Sequence, residues 1–79
     1  MNNAVLLSGS TIGILGGGQL GQMLSIAASR LGFKTHVFEP SANPPASNVS
    51  SRFTQAEYDD YDALEKFASK VDVVTYELK

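Results

Sequence analysis

The run Gly16-Gly17-Gly18-Gln19-Leu20-Gly21 carries the spacing G-x-G-x-x-G and stands directly between a segment patterned as a strand and one patterned as a helix. Without Cβ atoms, the first and second glycines let the chain bend tightly and let a ligand come close, and the third lets the helix lie near the strand. The first helical N–H groups then face whatever occupies the bend. A bare strand-to-helix turn with no ligand uses the same residues. A Walker A loop does not fit: Gly13 and Gly18 are correctly separated, but Gln19 and Leu20 stand where Lys and Ser or Thr must be. A dinucleotide site fits better, because Glu39 ends the next strand-like segment about 18 positions after Gly21, near where an acidic residue accepts ribose hydroxyls. A solvated carboxylate ahead of Pro40 is the plain alternative.

Gln19 is unusual at the tip of such a bend. Its neutral amide both donates and accepts, which suits an uncharged polar ligand group, with ordinary solvation at a helix start as the plain alternative. Tyr76 and Glu77 stand at the mouth of a later strand, where a carboxylate can accept from a hydroxyl or amine, or simply end the strand in water. His36 is a lone imidazole with no nucleophile arrangement or second metal ligand, and reads as structural. Glu57, Asp59, Asp60 and Asp62 form an acidic knot that reads as helix capping and solvation rather than a cation site. Asn48-Val49-Ser50 is a formal glycosylation sequon, without meaning in a cytosolic protein.

These residues need elements to hold them. Thr11-Ile12-Gly13-Ile14-Leu15 is a short apolar run that reads as a buried parallel strand. Leu20, Met23, Leu24, Ala27, Ala28 and Leu31 fall at helical spacing, predicting an apolar stripe packed into the core, with Gly32 as the stop. Thr35–Glu39 reads as a second strand ended by Pro40. The Pro-, Ser- and Asn-rich stretch from Ser41 to Asn48 suits a surface loop that can lie over a site. Arg52–Ala56 reads as a short extended piece. Asp59 or Asp60 would cap a helix over Tyr61–Ala68 with Tyr61, Leu64, Phe67 and Ala68 inward, and Val71–Glu77 reads as a further strand. The order βαβαβ is the first half of a doubly wound α/β sheet, whose ligands sit at the carboxyl ends of the strands: the glycine bend, Glu39 with its loop, and Tyr76-Glu77.

Composition bounds the rest. The chain has 79 residues, no cysteine, one histidine, and six Lys and Arg against eight Asp and Glu. The basic residues form no run, which argues against a nucleic-acid partner, and the apolar stretch near Met1 is too short for a signal peptide or membrane span. A cytoplasmic chain with a flexible leader over residues 1–10 is the default expectation. So small a core, with no disulfide or metal to add to it, implies marginal stability alone.

Thr11–Leu24, Ala27-Ala28, Leu31-Gly32, Pro45-Ala46, Ala56-Glu57-Tyr58-Asp59-Asp60 and Asp72-Val73-Val74-Thr75-Tyr76-Glu77 together resemble the N-terminal segment of the 5-(carboxyamino)imidazole ribonucleotide synthases. These belong to the ATP-grasp superfamily. The G-G-G-Q-L-G bend is shared with related ATP-grasp enzymes, whereas its pairing with D-V-V-T-Y-E is particular to this family. The resemblance implies a three-layer, Rossmann-like pre-ATP-grasp domain over residues 11–79, ending before the ATP-grasp domain. It also implies a ligase of purine biosynthesis that carboxylates aminoimidazole ribonucleotide with bicarbonate through carboxyphosphate. ATP and Mg2+ would bind outside this segment, which would hold no cofactor and be inactive alone, and the family is commonly dimeric, which admits a homodimer. Carried over residue by residue, Gln19 and Leu20 would border the substrate, Tyr76 and Glu77 would face its ribose or amine, and Gly16, Gly17, Gly18 and Gly21 would form the bend. Two positions depart from the family: Gln22 stands where Arg is usual, and Leu78 replaces an aromatic. The competing expectations are an NAD-binding half of an oxidoreductase and a non-catalytic interaction module.

Overall fold

A computed structural model describes residues 9–76. The apolar run at its start forms β1 (Thr11–Leu15), followed by α1 (Gln19–Arg30), β2 (Lys34–Glu39), a 3₁₀ turn (Pro45–Asn48), β3 (Arg52–Gln55), α2 (Tyr61–Ser69) and β4 (Val73–Tyr76). The expected leader falls mostly outside the described residues. Its last two residues are tied in, with Gly9 N–H donating to Gly32 carbonyl at 2.8 Å and Lys34 N–H to Ser10 carbonyl at 2.9 Å. The extended piece at Arg52 joins the sheet, so the strand expected over Val71–Glu77 is the fourth.

The four strands are all parallel and lie in the order β3-β2-β1-β4. The chain therefore winds outward from β1 through β2 to β3, then returns past β1 to place β4 on its other side. That reversal is a topological switch point, and it opens a crevice beyond the carboxyl ends of β1 and β4. At the opposite end β4 is fastened to β1 by Asp72, whose carboxylate accepts from Thr11 N–H at 2.7 Å and whose N–H donates to Thr11 carbonyl at 2.8 Å.

Alternate strand residues serve opposite faces. On one face Ile14 and Val37 are buried with Ala46 of the 3₁₀ turn, and Ile12 and Phe53 pack around them. α1 lies along the 3₁₀ turn and the two central strands. On the other face α2 lowers Phe67 onto the sheet, edge-on to His36 at 4.9 Å and tilted against Phe38 at 5.3 Å between ring centroids. Helices on both sides of a parallel sheet give the three layers expected.

Asp60, not Asp59, caps α2, accepting from Ala63 N–H at 3.1 Å. Only Phe67 of its expected inward side is buried: Leu64 is half-buried, and Tyr61 and Ala68 are exposed. The stripe expected to bury α1 is also corrected. The buried face of α1 is Gly21, Ser25 and Ala28, while Leu20, Met23, Leu24 and Leu31 are exposed. Small residues let the helix axis approach the sheet closely, which turns the large apolar side chains to its flanks. β4 is likewise exposed on both faces, with Val73 at 41% and Val74 at 43%, so this edge contributes little burial to the core.

Gly13 marks where α2 meets the sheet. A Cβ there would lie 2.7 Å from the Phe67 ring and 3.0 Å from Val71. Because Phe67 is held between His36 and Phe38, Gly13→Ala is expected to cost roughly 1–3 kcal/mol, read as a lowered urea midpoint with an unchanged denaturant slope.

Candidate ligand cleft

The bend after β1 begins as an extension of the sheet, with Gly16 N–H donating to Phe38 carbonyl at 2.8 Å. Gly16 then takes φ +113°, a left-handed conformation that side chains disfavour. The helix opens earlier than the motif suggests, at Gln19. Its cap, Gly18, offers no side-chain bond, and no acidic residue occupies the first turn. The helix start carries a partial positive charge that suits electron-rich groups, and the Glu39 carboxylate, bonded to Gly17 one residue ahead of the cap, lies beside it.

Gly17 behaves differently from the expectation that a ligand would approach it. Its N–H donates to Glu39 Oε1 at 2.8 Å, its carbonyl accepts from Ala46 N–H at 2.9 Å, and a Cβ would lie 2.8 Å from Pro44 and 3.1 Å from the Glu39 Cβ. The close approach that glycine permits is taken by the chain's own proline loop. Glu39 is equally occupied. Its Oε2 accepts from Ser41 N–H at 3.1 Å, and the Tyr58 hydroxyl stands 3.5 Å from Oε1. Burial alone would raise this carboxyl, but the bonds from the Gly17 and Ser41 N–H groups and the Tyr58 hydroxyl outweigh it and hold its pKa below the ordinary value.

Between these parts lies an open cleft of about 1010 Å³. Gly16, Gly18, Gln19 and Leu20 form one wall, the loop from Ser41 to Pro45 forms another, and Tyr58 and Tyr76 contribute aromatic surface. Of the residues expected at the site, the structure thus brings together Gln19, Leu20, Tyr76, Gly16 and Gly18. Gly17 is covered by Pro44, Gly21 is buried within α1, and Glu77 lies outside the described residues. Tyr58 is a lining residue that sequence reasoning missed. Its placement between β3 and the α2 cap was the available signal, since that turn brings an aromatic back toward the end of β2.

Among the described residues the lining contains no Lys or Arg, and its carboxylate, that of Glu39, is engaged by backbone. The cleft is therefore suited to a largely neutral, hydroxyl- or amine-bearing group with an apolar face. It is poorly suited to a pyrophosphate and adenosine ribose, since the Gly17 N–H and the Glu39 carboxylate that would serve them are bound to each other. His36, below the cleft, is buried with Nε2 2.7 Å from the Thr54 hydroxyl, and its pKa is lowered by burial first and then by Arg52 and Lys70. Among the described residues no group of three His, Cys, Asp or Glu could hold a metal ion, and no helix is long and apolar enough to cross a membrane.

A parallel sheet in this strand order, with a glycine bend at its switch point closed against its own loop, defines a Rossmann-like half-domain. Residues 9–79 match the model of the ribonucleotide synthetase preATP-grasp domain, and the chain belongs to that family. It is 57% identical over 75 residues to the bifunctional purine synthesis protein purC/E of Dictyostelium discoideum, covering 95% of this chain and 8% of that protein. It is 51% identical over all 79 residues to the N5-carboxyaminoimidazole ribonucleotide synthase of Brucella melitensis, covering 22% of it. The crystal structure of N5-carboxyaminoimidazole synthetase from Staphylococcus aureus superposes with a TM-score of 0.94 at 47% identity, over 99% of this chain and 21% of that one. An Aspergillus clavatus N5-carboxyaminoimidazole synthase, solved with ADP and 5-aminoimidazole ribonucleotide, gives a TM-score of 0.78 at 34% identity, over 90% of this chain and 19% of that one. The chain thus spans less than a quarter of the length of these relatives.

The two lowered pKa values begin to act at different pH. His36 favours its neutral form in the fold, so its contribution to stability is complete above about 6.5 and fades as pH falls below that value. Glu39 favours its charged form, so its contribution is complete above about 4.5 and is lost as pH falls through its lowered folded value. Chemical denaturation of Glu39→Gln across pH is expected to flatten the stability profile below pH 4.5 and leave the slope between 6.5 and 4.5 intact.

Proposed function

We propose that this chain is the substrate-side N-terminal domain of an ATP-dependent ligase that carboxylates 5-aminoimidazole ribonucleotide with bicarbonate in purine biosynthesis, in the cytoplasm. The observation that carries this reading is the meeting of Gln19, Leu20 and Tyr76 in one cleft at the switch point, in a chain of this family. Relatives bear the name of that synthase, and a structural neighbour was solved with the ribonucleotide.

The cleft residues suit the neutral part of such a substrate. The Gln19 amide donates and accepts toward ring or ribose atoms, Leu20 and Tyr76 offer apolar faces, and the α1 start favours electron-rich groups. Glu77, one residue beyond Tyr76, is assigned the ribose hydroxyls or amine on the family resemblance. With no Lys or Arg among the described lining residues, the substrate phosphate is assigned to other parts of the full-length protein, as are ATP, Mg2+ and bicarbonate. Bound there, ATP activates bicarbonate, and the substrate amine takes up the carboxyl with release of ADP and phosphate and loss of a proton. This chain's share is to orient the amine. A homodimer is the assembly in keeping with the family.

The full-length protein is expected to hydrolyse ATP faster when aminoimidazole ribonucleotide and bicarbonate are present, with no saturable NADH binding. Gln19→Ala should raise KM for the ribonucleotide roughly three- to tenfold, the size of one lost neutral hydrogen bond. ATP hydrolysis indifferent to the ribonucleotide would contradict the assignment.

A further inference from the structure

We propose that Glu39 is a positioning residue for the ribonucleotide: it clasps the Ser41–Pro45 loop to the glycine bend and thereby sets the width of the cleft in which Gln19 and Tyr76 meet the substrate. The inference rests on the reading of this cleft as the ribonucleotide site.

Glu39 ends β2 at the floor of the cleft, and Pro40 turns the chain away immediately after it. One carboxylate oxygen reaches back 22 residues to the Gly17 N–H, and the other reaches forward to the Ser41 N–H. These two donors belong to opposite walls. Gly17 is flanked by Gly16 and Gly18 on the wall that carries Gln19 and Leu20, and Ser41 opens the wall that runs to Pro45. Pro44 completes the clasp by resting on Gly17, whose carbonyl is held by Ala46 N–H. Within the loop Asn43 takes φ +53°, a left-handed conformation that Asn adopts more readily than other residues with a side chain.

Charge-assisted bonds to backbone are among the stronger ties a side chain can make. Removing the carboxylate leaves two backbone donors without their partner and frees one wall from the other. Each carboxylate oxygen already accepts a backbone N–H, so Glu39 is assigned to holding the loop, and the expected signature is in substrate affinity and not in turnover.

The test is initial-rate ATP hydrolysis by the full-length protein as a function of aminoimidazole ribonucleotide. Glu39→Ala is expected to raise KM for the ribonucleotide about tenfold, the worth of one charge-assisted hydrogen bond, with kcat and KM for ATP within about twofold of wild type. Glu39→Gln, which keeps an acceptor for Gly17, should recover most of the loss. Gly17→Ala, whose Cβ presses on Pro44 and Glu39, should raise the same KM, and the double variant Gly17→Ala/Glu39→Ala should be no worse than the more affected single one, because both loosen one clasp.

An unchanged KM for the ribonucleotide in Glu39→Ala overturns the proposal, as does a joint worsening of kcat and both KM values with a lowered melting temperature, which marks a purely structural carboxylate. Should Glu39→Ala not fold, Gly17→Ala decides it: a raised ribonucleotide KM alone supports the clasp, and no change overturns it. If wild type itself shows no ribonucleotide-dependent hydrolysis, the proposed function fails and this inference falls with it. An active wild type with an indifferent Glu39 overturns the inference alone.

Discussion

The bond between the Glu39 carboxylate and the Gly17 N–H, 2.8 Å long, is the constraint on which the rest of the cleft depends. It joins the end of β2 to the bend after β1, and with Pro44 it uses up the bare backbone that three consecutive glycines expose. In a dinucleotide site the same two groups would point outward, the amide toward a phosphate and the carboxylate toward a ribose. Here they satisfy each other, and what remains open is the next turn of the chain, Gly18 to Leu20. A topology shared with dinucleotide-binding domains thus presents a different set of open groups through the placement of one side chain.

The sheet supplies the platform for this arrangement. Winding to β3 and returning past β1 to β4 brings Tyr76 alongside Leu15, its partner in the parallel register, so the bend and the later strand end open into one crevice although they are distant in sequence. The cores on the two faces are modest: Ile14, Val37 and Ala46 on one, and Phe38 and Phe67 with His36 on the other. Exposed apolar residues on α1 and β4 fit a domain that occupies about a fifth of the length of its structural neighbours.

Much of the fold was legible in the sequence because its elements carry strong local signals. β1 was delimited by its apolar run, β2 by Pro40, the end of α1 by Gly32, and α2 by an acidic cap. The inward face of α1 was not legible, because periodicity identifies an apolar stripe without saying which neighbour it meets, and close packing on this sheet selected the small residues Gly21, Ser25 and Ala28. β3 was read only as an extended piece, since its partner in the sheet is set by topology. At the site, Gln19 and Tyr76 followed from motif and strand order, and Leu20 from the family resemblance. The role of Glu39 did not, because its partners at Gly17 and Ser41 are backbone groups, and a backbone N–H leaves no mark in a sequence beyond the glycine that makes it accessible.

The most direct test of where the substrate sits is an amide chemical-shift titration of the 15N-labelled full-length protein with 5-aminoimidazole ribonucleotide. The account predicts saturating shifts within this domain at Gly16, Gly18, Gln19, Leu20 and Tyr76, at the carboxyl ends of β1 and β4. Saturable binding that leaves those amides unmoved, or that shifts Lys34, Arg52 and Lys70 at the amino ends of the strands in their place, would contradict it.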